Sequence, residues 1–321
     1  MGVIRKRLLT PDLSEVTFQK RGFHERDRAV REKLEHVGRQ FLTGFGHAMA
    51  SRDVDEAGRL LDAVERPYRG FAYEGAAMAY AISGAMIPGK RRHLHEFAAG
   101  PAAPHVYMVH VGIGWAMARL PRLLWGRILL PDPLLRWLAF DGYGFHQAYF
   151  ATRAYVDEGR APTVRAPWPD PSGYTPRAVD QGIGRALWFV CGADVERLGV
   201  VIDGFAPARR GDLWSGAGLA ATYAGGVGAD DLDLLVKLAT GYRRELAQGS
   251  AFAAKARLLA DLVLPHTGEA TRVLCGLSVE DAARLTDEAL IDLPASTLPA
   301  FEVWRRRIQA NFDGLEDETR R

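Results

Sequence analysis

His146 is the side chain of this sequence best suited to move a proton, because an imidazole with an ordinary pKa of about 6.5 works as general acid or base near neutrality. It lies in Asp141-Gly142-Tyr143-Gly144-Phe145-His146-Gln147-Ala148-Tyr149-Phe150, which packs two glycines and four aromatics around one histidine. Asp180, Asp212 and Glu74 stand, like Asp141, beside other glycines, and Arg119, Arg185, Arg209 and Arg210 are interleaved with them. Two explanations compete for these acids. They cap helices, or they meet the arginines in a shared cavity, as buried ion pairs or as a seat for the charged end of a ligand. His146, Asp180, Asp212 and Arg185 are therefore the candidate catalytic set. For His146 the plainer alternative is a structural histidine bonded to a neighbouring helix.

Trp115, Tyr143, Phe145, Tyr149, Trp188 and Trp214 all fall within or beside the glycine-containing stretches. Such aromatics ordinarily fill a core, yet glycine next to an aromatic ring leaves room for a flat apolar ligand, so the six are the candidate ligand-binding residues. His105 and His110 lie five apart, which on a helix is not the i, i+4 pair of a metal site. Haem or metal ligation by His105, His110 or His146 is a minor alternative, and no metal site or cofactor is assigned.

The elements that must position these residues share one device. Gly44-Phe45-Gly46, Gly112-Ile113-Gly114, Gly142-Tyr143-Gly144, Gly182-Ile183-Gly184 and Gly216-Ala217-Gly218 repeat a glycine doublet, with weaker echoes at Gly75 and Gly249. The spacing of roughly 30 to 40 residues matches helix-hairpin repeats. On a helix the two glycines of a doublet point to different faces, giving two smooth surfaces where neighbouring backbones approach closely. Glycine costs about 1 kcal/mol relative to alanine inside a helix, so its recurrence needs such a packing reason. A dinucleotide-binding loop fits poorly, because Met117 occupies the third small position after Gly112-Ile113-Gly114.

Along the chain, residues 1 to 24 read as an arm or cap, and helical periodicity begins at Asp27. Asp53-Val54-Asp55-Glu56 starts a short helix stopped by Pro67, and further helices are expected at 70–86, 106–120 and 131–139. Residues 89–104 read as a connection. Arg160 to Pro176, with five prolines, is a long loop and the candidate place of an internal division. Helices are then expected near Gly182 and Gly216 and at 232–238, 242–246, 251–263, 279–290 and 301–312, before a charged tail from Asp313. The expected architecture is a single all-α helix-hairpin repeat domain over 1–321, of the tetratricopeptide kind, with a compact helical bundle as the alternative.

Composition narrows the classes. The 321 residues are 48% hydrophobic and 25% charged, enough for a large core, and the net charge of +2 gives no bias toward nucleic acid. Lys90-Arg91-Arg92 and Arg305-Arg306-Arg307 read as solvated surface. The first residues lack the apolar stretch of an export signal, and Cys191 and Cys275 form no metal or redox spacing, so a cytoplasmic setting is expected, with one disulfide between them left open. The apolar region 106–138 is broken by charges and prolines and is no membrane span.

Taken together, Asp141 to His146, Asp180 to Phe189 and Arg209 to Gly226, with Gly70 to Gly75 and Val111 to Arg119, resemble the bacterial domain-of-unknown-function family 1702, which is associated with enediyne polyketide gene clusters. The resemblance covers nearly the whole chain. It implies a cytoplasmic protein handling an apolar polyene or polyketide intermediate in enediyne core formation, by a reaction it does not specify, together with other proteins of that pathway. The alternative is a non-catalytic helical-repeat module that binds or scaffolds a pathway partner. The family pattern places an acid after the histidine where this chain has Gln147, which weakens any carboxylate role there.

Overall fold

A computed structural model describes residues 12–128 and 130–314. The reading of residues 1–11 as part of an arm without an export signal, and most of the charged tail, lie outside those residues. The chain is all-α, with 71% helix and no strand among the described residues. Its helices of nine residues or more are α1 Arg28–Ala50, α2 Val54–Asp62, α3 Arg69–Met86, α4 Arg91–Ala99, α5 Val106–Arg119, α6 Leu138–Phe150, α7 Thr175–Val190, α8 Val195–Asp203, α9 Pro207–Ala224, α10 Ala229–Leu238, α11 Arg243–Leu259, α12 Pro265–Cys275, α13 Val279–Glu288 and α14 Ala300–Ala310.

Their ends follow local chemistry. Asp53, Asp194 and Ser278 accept hydrogen bonds from the backbone N–H groups of Glu56, Arg197 and Asp281, capping α2, α8 and α13. Pro176, Pro207 and Pro265 sit in the first turns of α7, α9 and α12, where a missing N–H costs nothing. Three helices go beyond the sequence expectations. The basic run at 91–92 opens α4, whose Leu94 and Phe97 are buried, and α8 and α12 lie where no helix was anticipated. A further departure concerns 242–263, expected as two pieces. One helix, α11, runs straight through Gly249, because a Cβ there would stand 1.9 Å from the carbonyl oxygen of Ser215; the glycine serves packing rather than a break.

The chain divides into two compact units, residues 1–22 with 32–143 and residues 23–31 with 144–321, so the proline-rich stretch 160–176 lies wholly inside the second. In the first unit the glycines carry backbone-to-backbone contacts. A Cβ on Gly44 of α1 would lie 1.9 Å from the Ala72 carbonyl oxygen of α3, on Gly112 of α5 2.2 Å from that of Glu74, and on Gly142 of α6 2.0 Å from that of Val111. The second unit repeats the arrangement: Gly216 of α9 faces the backbone of α7, and Gly218, two residues on, faces the Leu246 carbonyl of α11. One glycine of the doublet thus serves each neighbour, as the face argument requires. The short helices α8, α10 and α12 pack beside one another in the same unit.

Most of the large side chains beside these contacts are core. Trp188 and Trp214 are buried in α7 and α9, and the Trp188 indole N–H donates to the Gly225 carbonyl at 2.9 Å. Cys191 and Cys275 are both free and buried, so the open question of a disulfide closes. No helix among the described residues is long and apolar enough to cross a membrane.

Candidate functional site

Asp180 and Asp212, two of the acids singled out by their place beside glycines, are not helix caps. Asp180 and Asp212 lie inside α7 and α9 and are buried, 4% exposed each, so their charges require partners. Asp212 takes the Arg177 Nε–H at 2.8 Å, the Gln181 amide at 2.9 Å and the Arg305 Nη1 at 3.0 Å. Arg305 also donates to Glu302 at 2.8 Å, to the Gln248 side-chain oxygen at 3.1 Å and to the Tyr174 hydroxyl at 3.2 Å. Arg306 and Arg177 hold the other oxygen of Glu302. Burial alone would raise the Glu302 carboxyl, but Arg305 and Arg177 bring it below its ordinary value. The Arg305 guanidinium, although burial opposes its charge, is held more firmly protonated by Tyr174, Asp212 and Glu302.

This cluster corrects one expectation. Arg305 is not solvated surface but 1% exposed, because it stands one turn from Phe301 on the face of α14 that also buries Trp304 and Ile308. Sequence reasoning missed Arg177, Glu302 and Arg305 as partners. Their signal was weak: the ion pair Arg177–Glu302 spans 125 residues of chain.

Asp180 belongs to a second arrangement. Arg209 approaches it with a fork, 2.9 Å from Nε and 2.6 Å from Nη2, and reaches with Nη1 to the Gly159 carbonyl at 2.7 Å. Burial raises the Asp180 carboxyl to about 6 despite that fork, with the charge of Asp212 adding to the rise. The pair therefore ties the start of the proline-rich segment to α7. Asp170 ties its end, accepting from the Tyr174 N–H at 2.9 Å, the Thr175 N–H at 2.8 Å and the Thr175 hydroxyl at 2.7 Å.

The segment pinned in this way walls an open cleft of about 630 Å3, within the range of small-molecule sites. Pro162, Val164, Trp168 and Pro176 supply its apolar surface, and Arg165 and Thr175 are among its polar groups. Trp168 was not among the sequence candidates. A tryptophan amid five prolines, where no regular element can bury it, was the signal that could have found it.

The remaining candidates sit elsewhere. Trp115 packs on Phe41 with ring centres 4.5 Å apart and Tyr143 on Trp125 at 5.8 Å, both in the first unit. Tyr149 stacks on Phe145 at 5.8 Å, the Arg185 guanidinium lies 5.0 Å above the Phe145 ring, and the His146 ring lies 4.7 Å from that of Phe150. None of the ten lines the cleft at 162–176. His105 stacks on Tyr73 at 3.8 Å. His110 has both nitrogens occupied, Nδ1 donating to the Val106 carbonyl at 2.8 Å and Nε2 accepting from the Asp132 N–H at 3.2 Å, so it is no metal ligand. Among the described residues no group of three or more His, Cys, Asp or Glu side chains is placed to hold a metal ion.

Comparison with known proteins agrees with the motifs. The sequence model of the family described as "Protein of unknown function (DUF1702)" matches residues 1–312. No curated protein and no solved structure matches the chain.

Proposed function

From the premise that this chain belongs to the DUF1702 family, we propose that it is a cytoplasmic binding protein that holds an apolar polyene or polyketide intermediate of enediyne core formation in the cleft walled by residues 162–176. The observation that carries the reading is the cleft itself, whose about 630 Å3 opens against Trp168, Val164, Pro162 and Pro176. Base-like and ring-like apolar ligands gain from a flat aromatic face, and few polar groups are needed to orient them. The enediyne assignment is supported by the motifs Asp141 to His146, Asp180 to Phe189 and Arg209 to Gly226.

A carrier rather than a catalyst is favoured by the state of the acids. Both oxygens of Asp180 are engaged by Arg209, and Asp212 accepts from Arg177, Gln181 and Arg305 at once. Neither is poised over the cleft as a free general acid or base; Asp180 acts as a positioning residue through Arg209 and Gly159. Other proteins of the pathway are the expected source and recipient of the ligand.

The test is titration of the purified chain with a linear conjugated polyene hydrocarbon, followed by polyene absorbance and by tryptophan fluorescence. Saturable quenching with an unchanged polyene spectrum over hours is the expected result, and Trp168→Ala should weaken it about tenfold while leaving the fold intact. Steady loss of the conjugated absorbance would replace the carrier with an enzyme. Quenching that survives Trp168→Ala would place the ligand elsewhere.

A further inference from the structure

The connection from α5 to α6 in the first unit is strongly apolar and takes no part in the cleft at 162–176. It opens on a 3-10 helix, Arg122–Arg127, that packs on α3. Trp125 fixes that turn. Its indole N–H donates to the Met117 carbonyl at 2.9 Å and to the Leu120 carbonyl at 3.3 Å, and its buried ring meets Phe140 and Tyr143 edge-on. With Trp125 held inward, Leu123 is left 81% exposed, more than any other large apolar side chain among the described residues.

A single exposed apolar side chain is ordinary on a protein surface, so its surroundings decide what it means. Other exposed apolar residues stand beside acids: Leu13 follows Asp12, Ile291 precedes Asp292, and Val200 lies one turn from Glu196 and Asp203 on α8. Leu123 stands among cations instead. The Arg122 guanidinium lies over the Trp125 ring at 5.7 Å, and Arg127 is exposed and forms no ion pair among the described residues. The segment 119–136 carries four arginines against one acid, Asp132, whose carboxylate accepts the N–H groups of Leu134 and Leu135. Neighbouring acids do not cancel that excess. Glu15, in the field of Arg119, is bridged to Lys20 and Arg21, and α3 adds only Arg69 and the buried Glu74.

We propose that the turn Arg122–Arg127 is a shallow contact with an anionic lipid bilayer, in which Leu123 enters the hydrocarbon edge while Arg122 and Arg127 take lipid phosphates. A bare leucine offers too little area for a stable protein interface, which needs about 800 Å2 from each partner. A bilayer needs only the inserted side chain and the charge around it. One apolar tip with a few cations gives reversible binding that requires anionic lipid and weakens with salt. The turn lies on the surface of the bilayer and spans nothing, and the proposal is independent of the cleft at 162–176 and of the polyene reading.

The experiment is co-sedimentation of the full chain with vesicles of phosphatidylcholine alone and of phosphatidylcholine mixed equally with phosphatidylglycerol. Binding to the mixed vesicles only is expected, and it should fall steeply when salt rises from about 0.1 M to about 0.5 M. Leu123→Asp should weaken it about tenfold or more, and Arg127→Gln about fivefold, the share of one cation at an anionic surface. Val200→Asp, exposed but set among acids in the second unit, should leave it unchanged. All three positions are exposed, so the variants keep the fold. A second readout needs no loss of binding: with Cys191 and Cys275 buried, Leu123→Cys takes an environment-sensitive fluorophore, whose emission should shift to the blue on mixed vesicles. No vesicle binding, equal binding to both vesicle types, unchanged binding in Leu123→Asp, an equal loss in Val200→Asp, or an unshifted fluorophore would each overturn the proposal.

Discussion

Gly216 lies so close to Gln181 that a Cβ on it would stand 2.0 Å from the Gln181 carbonyl oxygen and 2.6 Å from the Arg185 nitrogen. Those are backbone atoms of α7, which cannot swing aside as a side chain can. Gly216→Ala should therefore destabilise the protein by about 3 kcal/mol, the upper end for overpacking. Gly211, in the same helix, faces only the flexible side chain of Glu245 at 3.5 Å, so Gly211→Ala should stabilise by about 0.5–1 kcal/mol. Urea denaturation of the two variants checks the opposite signs.

The buried cluster around Asp212 predicts a large loss on neutralising one member. Asp212→Asn leaves Arg305, 1% exposed, short of a counter-charge, and breaking such a pair costs about 3–5 kcal/mol. Arg284, with exposed partners Asp281 and Glu288, is the control. Arg284→Ala should change stability by less than about 1 kcal/mol. Chemical denaturation of both variants gives the comparison, and equal small losses would mean that the cluster is solvated in solution.

His110 makes the first unit sensitive to acid. Burial holds its imidazole below the ordinary value, opposed by its bonds to Val106 and Asp132, and the Asp132 N–H needs a neutral Nε2 to accept it. Below a pH of about 6.5 the unfolded chain takes up a proton that the folded chain refuses, so the contribution is complete above that pH and is lost as the pH falls. As the pH falls through that range the loss grows by at most about 1.4 kcal/mol per pH unit. Thermal unfolding at pH 7.5 and 5.5 should show it, and His110→Leu should be less stable at pH 7.5 but lose less on acidification.

Asp180 should control the proline-rich segment without touching a ligand. Asp180→Asn loosens the Arg209 fork and with it the contact from Arg209 to the Gly159 carbonyl. Trypsin should then cut after the exposed Arg160 and Arg165 several-fold faster, while cutting at other sites stays as in the parent. Unchanged cleavage at both arginines would show that Asp170 alone fixes the segment.

The sequence by itself determined the helices and the way they touch. Glycine doublets at Gly112 and Gly114 or Gly216 and Gly218 dictate two faces without side chains, and period and capping residues such as Asp53 and Ser278 place most helix bodies. These signals are local, so they survive without knowledge of the partners. The tertiary structure alone decided which charges meet. Asp212 finds Arg177, 35 residues before it, and Arg305, 93 residues after it, and no local pattern distinguishes those arginines from solvated ones. It also decided that His110 is spent on two backbone groups, that Arg305 is buried on the face of α14 shared with Phe301 and Trp304, and that the half-buried Trp168 of the proline loop lines the cleft. The residues that drew attention by type, Trp188 and Trp214 above all, are buried because tight glycine contacts bring their helices together. The cleft instead formed where five prolines forbid a helix and two aspartates, at positions 170 and 180, pin the chain.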